Sequence, residues 1–284
     1  MSTAPFRARR TTTTVAMVLL ASTMAITGCG GDDSAPVAKR VVQLQAPATL
    51  VADDALTFCS DIGYPPMEFD DEGTPAGADI EIGQRLAKLM DVSAAFVNTP
   101  FDDVLTDLDD GACDAVISSL TNTAERRELV HFVNYLEVGQ SLMVETSNPS
   151  DIEGLDDLGG KRVAVQAGTT NEEFLRGHAK DVDGTPPVIT PFAKDTDATA
   201  ALKTGRVDAY FGDSPVVAYH IGQEALTYAF AGDAINSEPI GIAVRHDDTK
   251  LRAELQRGIE AMYDDGSMDR ILRRWKLDDF AIAG

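Results

Sequence analysis

Cysteine, histidine and tryptophan are scarce in this chain of 284 residues: three, four and one. The histidines His131, His178, His220 and His246 lie far apart, and no cysteine pair has the short spacing of a metal site. No metal and no cofactor is therefore expected. Positive charge is also scarce, since 24 Lys and Arg stand against 46 Asp and Glu for a formal net charge of −22. A surface this acidic repels polyanions, which excludes nucleic acid as a partner. A membrane-spanning run is missing too: the apolar stretch "VAMVLLASTMAI" covers Val15 to Ile26, well short of the roughly 20 helical residues that cross a bilayer.

The amino end carries a different signal. Arg7, Arg9 and Arg10 precede that short apolar stretch, the layout of a secretory signal peptide. The Arg9-Arg10 pair lacks the hydrophobic pattern that follows it in twin-arginine signals. The stretch closes in "ITGCG", which resembles the lipobox of bacterial lipoproteins: a branched residue, two small ones and a cysteine. That resemblance implies cleavage after residue 28, a lipid on Cys29, and anchoring to the outer face of the cytoplasmic membrane. Losing residues 1–28 removes three arginines and no acids, so the formal charge moves from −22 to −25. Residues 29–48 mix Gly, Asp, Pro and Ala without a period, as a flexible tether does, and the fold is expected to begin near Leu50. Cys59 and Cys113 are left in an oxidising compartment. They fall on two predicted strands at different levels, and no bridge between them is expected.

From Leu50 onward strands and helices alternate. "ALTFCS" reads as a strand, and "ADIEIGQRLAKLM" as an amphipathic helix with Ile80, Ile82, Leu86 and Leu89 on one side. The strand "AAFVNT", the helix "FDDVLTDLDDG" and the strand "CDAVISS" follow. Such a βαβαβ order makes a parallel sheet with right-handed crossovers. Ligands bind such sheets beyond the carboxyl ends of the strands, where Asp61 and Ser118 fall. A second unit contains the strand "RVAVQ", the turn "AGTT", the helices "NEEFLRGHAK" and "DATAALKTG", and the strand "VDAYFGD". Two parallel sheets predict two lobes facing a cleft, with "EPIGIAV" as a returning strand and two closing helices in "LRAELQRGIEAMYDDGSMDRILRRW" on the first lobe.

Three stretches carry chemistry. In "SSLTNTAERR", Asn122 or Thr123 can cap a following helix, and Asn122 with Glu125 has capping-box spacing. Arginine in the first turn of a helix opposes the helix dipole by about 0.3–1 kcal/mol, so an anion is expected to offset it at Arg126, while Arg127 reads as solvated. In "QAGTTNEE" a glycine and two threonines open a helix whose free N–H groups suit an anion. "DIGYPPMEF" places Asp61 and Tyr64 at a strand end, with Phe101 able to complete a flat slot. Asp213 ends the strand in "YFGDSP", where an isolated aspartate reads as a turn residue or cap. "GGK" at Gly159 to Lys161 precedes a strand and lacks the rest of a phosphate loop.

In order, "SDIGYPPMEF", "GADIEIGQRLAKLM", "DAVISSLTNTAERR", "GKRVAVQAGTTNEEF", "GRVDAYFGDSP", "GIAVR" and "DGSMDRILRRW" resemble the family 3 solute-binding proteins of bacterial ABC importers for polar amino acids. The resemblance runs from about Leu50 to Trp275. It implies an α/β type II periplasmic-binding fold in which each lobe is a mostly parallel sheet flanked by helices, with two hinge strands between. Residues 49–139 and 240–284 would form the first lobe and 140–239 the second. The function implied is capture of a polar or basic L-amino acid by lobe closure and delivery to a permease and ATPase, by a monomer tethered to the membrane.

Carried over by position, Arg126 would grip the ligand carboxylate with Thr121 and the backbone at Thr170. Asp213 and the Ser118 and Ser119 region would hold the ammonium. Asp61 would meet the ligand side chain, Tyr64 and Phe101 would sandwich it, and Gly168 and Thr169 would shape the second lobe's part. Met67 and Ala78 replace the phenylalanine and the aromatic residue usual in the family. Asp61 favours a cationic or hydrogen-bond-donating side chain: arginine, lysine, histidine, ornithine or glutamine. No enzyme is expected, because no nucleophile–base motif is present; Glu68 and Glu125 are explained by packing and capping. A dehydratase-like enzyme on the same fold and a sensor ectodomain are the alternative readings.

Overall fold

The computed structural model describes residues 42–180 and 184–282. The signal peptide, Cys29 and most of the tether lie outside the described residues. The elements, in chain order, are β1 (Ala55–Ser60), β2 (Phe69–Asp71), β3 (Thr74–Ala76), α1 (Ala78–Leu89), β4 (Ser93–Asn98), α2 (Val104–Asp109) and β5 (Ala115–Val116). There follow β6 (Val130–Glu145), β7 (Arg162–Gln166), α3 (Thr170–His178), β8 (Val188–Phe192), α4 (Asp195–Lys203) and β9 (Ala209–Asp213). The chain closes with α5 (Ser214–Gln223), β10 (Tyr228–Arg245), α6 (Thr249–Asp264) and α7 (Ser267–Trp275).

The strands align in the order β4-β1-β5-β10-β6-β9-β7-β8. β1 is parallel to β4 and β5, and β7 is parallel to β8 and β9, as the alternating pattern predicts. The expectation of two separate sheets is corrected: β6 and β10, of 16 and 18 residues, pair antiparallel and join both sets into one ladder. "EPIGIAV" is only the last part of β10. Register shifts between Ala231 and Ile235, and again near Glu238 and Ile240, bend this pair where one lobe passes into the other. β6 and β10 are the two hinge strands.

Each half has its own apolar core. On the first side, Leu56 and Phe58 of β1 pack with Ile82 and Leu86 of α1 and with Leu255, Ile259 and Met262 of α6, each side chain contributing about 1.5–3 kcal/mol when fully buried. Leu44 joins this core at 2 % exposure, and its N–H donates to Leu89 O at 2.8 Å. Packing therefore starts ahead of Leu50. On the second side, Val163 and Val165 of β7 pack with Leu142, Leu175 and Phe211.

Cys59 and Cys113 form a disulfide, with their Cα atoms 5.6 Å apart, against expectation. β5 is only two residues long, so Cys113 lies in the turn from α2 rather than in the strand. There it reaches Cys59 among Val104, Leu108 and Val116. No helix among the described residues is long and apolar enough to cross a membrane.

Candidate functional site

The first lobe presents its wall through the loops after β1 and β5. Asp61 follows β1, and its N–H donates to Ser118 Oγ at 3.0 Å, while Ser118 Oγ donates to Glu68 Oε1 at 2.8 Å. The Ser118 hydroxyl is thus engaged beneath the wall. Ser119 adopts a left-handed backbone with φ 46, a conformation that needs support in a residue other than glycine. Its N–H donates to Asp79 Oδ2 at 2.8 Å, and both Asp79 oxygens accept from Tyr135 OH at 2.7 and 2.8 Å. Glu68 Oε2 is buried without an ordinary donor and lies against the Asp79 carboxylate. Burial raises both carboxyls, Glu68 strongly and Asp79 to about 6. Two such groups in contact are satisfied when the pair shares one proton.

The helix expected after Thr121 is absent; residues Arg126–Glu128 make a single 3-10 turn. The chain has no room for more, because Thr121 bridges Ile240, Asn122 N donates to Pro239 O at 2.9 Å, and β6 begins at Val130. Thr123 Oγ1 accepts from Arg126 N at 3.1 Å, whereas Asn122 donates to Asn134 Oδ1 and Glu125 caps nothing. The dipole penalty argued from sequence therefore does not arise. Arg126 is held by carbonyls of both lobes, donating from Nη1 to Thr121 O at 3.1 Å and from Nη2 to Gly168 O at 3.3 Å, and it lies 5.5 Å over the Phe101 ring. Arg127 is exposed and donates to Asn122 O and Oδ1.

In the second lobe the turn after β7 does most of the positioning. Gly168 has φ 71, a left-handed backbone that favours glycine, and a Cβ there would fall 1.6 Å from Asp102 Oδ1 and push that exposed side chain aside. Thr169 caps α3, accepting from Glu172 N at 3.2 Å and donating to Gln166 O at 2.8 Å. Thr170 Oγ1 lies 3.2 Å from Thr121 Oγ1 across the cleft, and Gln166 Nε2 donates to Asp61 Oδ2 at 2.6 Å. Asp213 occupies the cap position of α5 without bonding to that helix; its Oδ1 accepts from Asn171 Nδ2 at 2.9 Å.

Tyr64, Phe101, Ser119, Thr121, Thr169, Thr170 and Asp213, all singled out in the sequence, line one cleft that is closed down to about 10 Å³ of free space. Arg126 and Gly168 line its wider mouth of about 300 Å³ with Glu125 and Glu173. Asp61 meets the second lobe only through Gln166, and Ser118 is turned away. Gln166 and Asn171 also line the cleft and were missed. Gln166 had a usable signal, ending β7 as Ser60 ends β1; Asn171, in the first turn of α3, had none.

Residues 56–278 match the family described as bacterial extracellular solute-binding proteins, family 3. The chain belongs to this family. It is 31% identical over 214 residues to the L-cystine-binding protein TcyJ of Escherichia coli (strain K12), covering 75% of this chain and 79% of that one. With the ABC transporter glutamine-binding protein GlnH of Bacillus subtilis (strain 168) it shares 27% identity over 274 residues, 93% of this chain and 97% of the relative. The structure of an ancestral arginine-binding protein bound to arginine superposes with a TM-score of 0.73 at 34% identity, covering 78% of this chain and 98% of that one.

In this family 3 solute-binding protein charges of both signs stand at the cleft, Asp213 buried within it and Arg126 partly buried at its mouth. Burial pushes the Asp213 carboxyl up to about 6 against the bonds from Asn171 and Tyr64, and the Asp61 carboxyl up to about 6 against the bond from Gln166. Burial lowers the Arg126 guanidinium, and Asp213, Glu173, Glu125 and Glu238 act the other way. A group with a carboxylate at one end and an ammonium at the other meets a complementary partner on each lobe. Among the described residues no group of three or more His, Cys, Asp or Glu is placed to hold a metal.

Proposed function

We propose that this chain is the extracytoplasmic binding component of an ABC importer for a polar or basic L-amino acid. In this reading Cys29 carries the lipid anchor, residues 49–139 and 240–284 form one lobe and 140–239 the other, and closure encloses the ligand for delivery to a permease. The observation that carries it is the pair of opposite charges at one cleft, Arg126 from the first lobe and Asp213 from the second. Each end of a zwitterion costs several kcal/mol to bury unless paired and hydrogen-bonded. Arg126, with Thr121 and the α3 start at Thr170, receives the carboxylate; Asp213, with Ser119, receives the ammonium. Tyr64 and Phe101 flank the side chain, and Asp61 faces its far end. Acids around the mouth, Glu125 and Glu173, favour a cationic side chain.

The names of the relatives support amino-acid binding, and none of those compared is named as an enzyme. About ten non-hydrogen atoms, at up to roughly −1.5 kcal/mol each, allow micromolar to nanomolar affinity, about −8 to −12 kcal/mol. A thermal-shift screen of the amino acids followed by calorimetry tests the assignment. Arg126→Ala is expected to lower affinity at least about 100-fold, and Arg127→Ala less than about twofold. Equal losses for the two would overturn it.

A further inference from the structure

Tyr64 belongs to the first lobe, yet its hydroxyl is built into the second. Its loop is pinned by backbone bonds from Tyr64 N to Glu68 O at 2.7 Å and from Met67 N to Tyr64 O at 2.9 Å, and the side chain is 6 % exposed. The hydroxyl accepts from Asp213 N at 3.3 Å and neighbours the Asp213 carboxylate and the Tyr210 hydroxyl. Tyr210 and Asp195, each 1 % exposed, stand behind it. Tyr210 OH donates its single proton to Asp195 Oδ1, so the one Tyr64 proton has two acceptors beside it, the Tyr210 oxygen and the Asp213 carboxylate. The other Asp195 oxygen faces His220 Nε2 at 3.8 Å.

The space for this arrangement is made by Gly212, since a Cβ there would lie 2.1 Å from the Tyr210 hydroxyl oxygen. Packing alone does not call for it. A phenylalanine at 210 would fill the same core, and Asp195 would not need burying.

We propose that Tyr210 and Asp195 are positioning residues that form a receptor for the Tyr64 hydroxyl, making Tyr64 a latch that holds the two lobes closed beside Asp213. As a device for retaining ligand the latch rests on the amino-acid reading above; as a contact between lobes it can be tested without any ligand. The Asp213 amide reports on it directly, because its hydrogen-bond acceptor is the Tyr64 oxygen.

The test is residue-resolved hydrogen exchange on the wild type, Tyr64→Phe and Tyr210→Phe, with thermal denaturation to show that each variant folds, and calorimetry with L-arginine as probe. Both variants are expected to speed exchange at the Asp213 amide about tenfold while leaving Val163 and Ala164 in β7 unchanged, and Tyr210→Phe to raise the Kd for L-arginine about tenfold, as loss of a buried hydrogen bond does. Unchanged exchange at Asp213, or an equal rise at Val163 and Ala164, would overturn the latch. If the exchange contrast holds while the wild type binds neither L-arginine nor any other amino acid, the latch stands and the amino-acid reading falls.

Discussion

The two walls of the cleft are held in place by different physics. Behind the first wall lies a buried ionisable network, in which Glu68 and Asp79 share a proton and Asp79 fixes the left-handed Ser119 through its N–H. The second wall is held by the Thr169 cap of α3 and by bonds between buried side chains, Asn171 to Asp213 and Tyr210 to Asp195. A disulfide also ties β1 to the turn before β5 in the first lobe. The first wall thus depends on covalent closure and on two carboxyls that share a proton, and the second on a helix cap and on single buried carboxyls each bonded to a neutral side chain. Perturbations should therefore sort by wall.

The largest stability effect is expected from the disulfide. Closing a loop of 54 residues' separation contributes about 4 kcal/mol in the chain-entropy account. The Cys59→Ala/Cys113→Ala variant should lower the melting temperature by about 8–16 °C at 2–4 °C per kcal/mol. Calorimetric scans of variant and wild type check this.

Next comes Asp79→Asn. It replaces one of the two oxygens that accept from Ser119 and Tyr135 with an NH2 donor and removes the charge facing Glu68, and should destabilise by about 1–3 kcal/mol while weakening ligand binding through Ser119. The second-wall counterpart is Thr169→Ala. Loss of that cap should take only about 1 kcal/mol, read as a melting shift of about 2–4 °C. Equal shifts for the two variants would erase the contrast between the walls.

The pH profile sharpens the comparison in another way. Asp61 and Asp213 are raised to about 6 by burial, so the folded protein holds protons that the unfolded chain releases near 4. These carboxyls contribute stability that is complete below about 4 and lost as pH rises through about 6. An ammonium ligand reverses the preference, because it needs ionised Asp213. Affinity should fall about tenfold per pH unit below 6, and the ligand-induced thermal shift should be larger at pH 7 than at pH 5. Calorimetric titrations across this range test the slope and the accompanying proton release.

Much of this layout was legible in the sequence. Helix α1 shows in the spacing of Ile82, Leu86 and Leu89, all of which are buried, and the carboxyl ends of β1, β7 and β9 mark where Asp61, Gly168 and Asp213 sit. The long hinge strand β6 was not read: most residues of "VHFVNYLEVGQSLMVE" are buried on both faces, so neither alternation nor a turn announces it. The false helix after Thr121 has the same root, since local capping spacing carries no knowledge of Ile240 and Pro239, the tertiary partners that hold the segment extended. The disulfide was missed because strand levels were judged from pattern, while β5 begins only at Ala115. That the Ser118 hydroxyl is engaged with Glu68 has no local signal, because this partner lies fifty positions away.

Whether the cleft separates the two ends of an amino acid between two lobes is decided most directly by calorimetry with matched ligands. The amino acid giving the largest thermal shift and its decarboxylated amine would be titrated into the wild type and into Arg126→Ala. The account predicts that the wild type prefers the amino acid by at least about 100-fold and that Arg126→Ala binds the two nearly alike. A preference that survives intact in Arg126→Ala would contradict it.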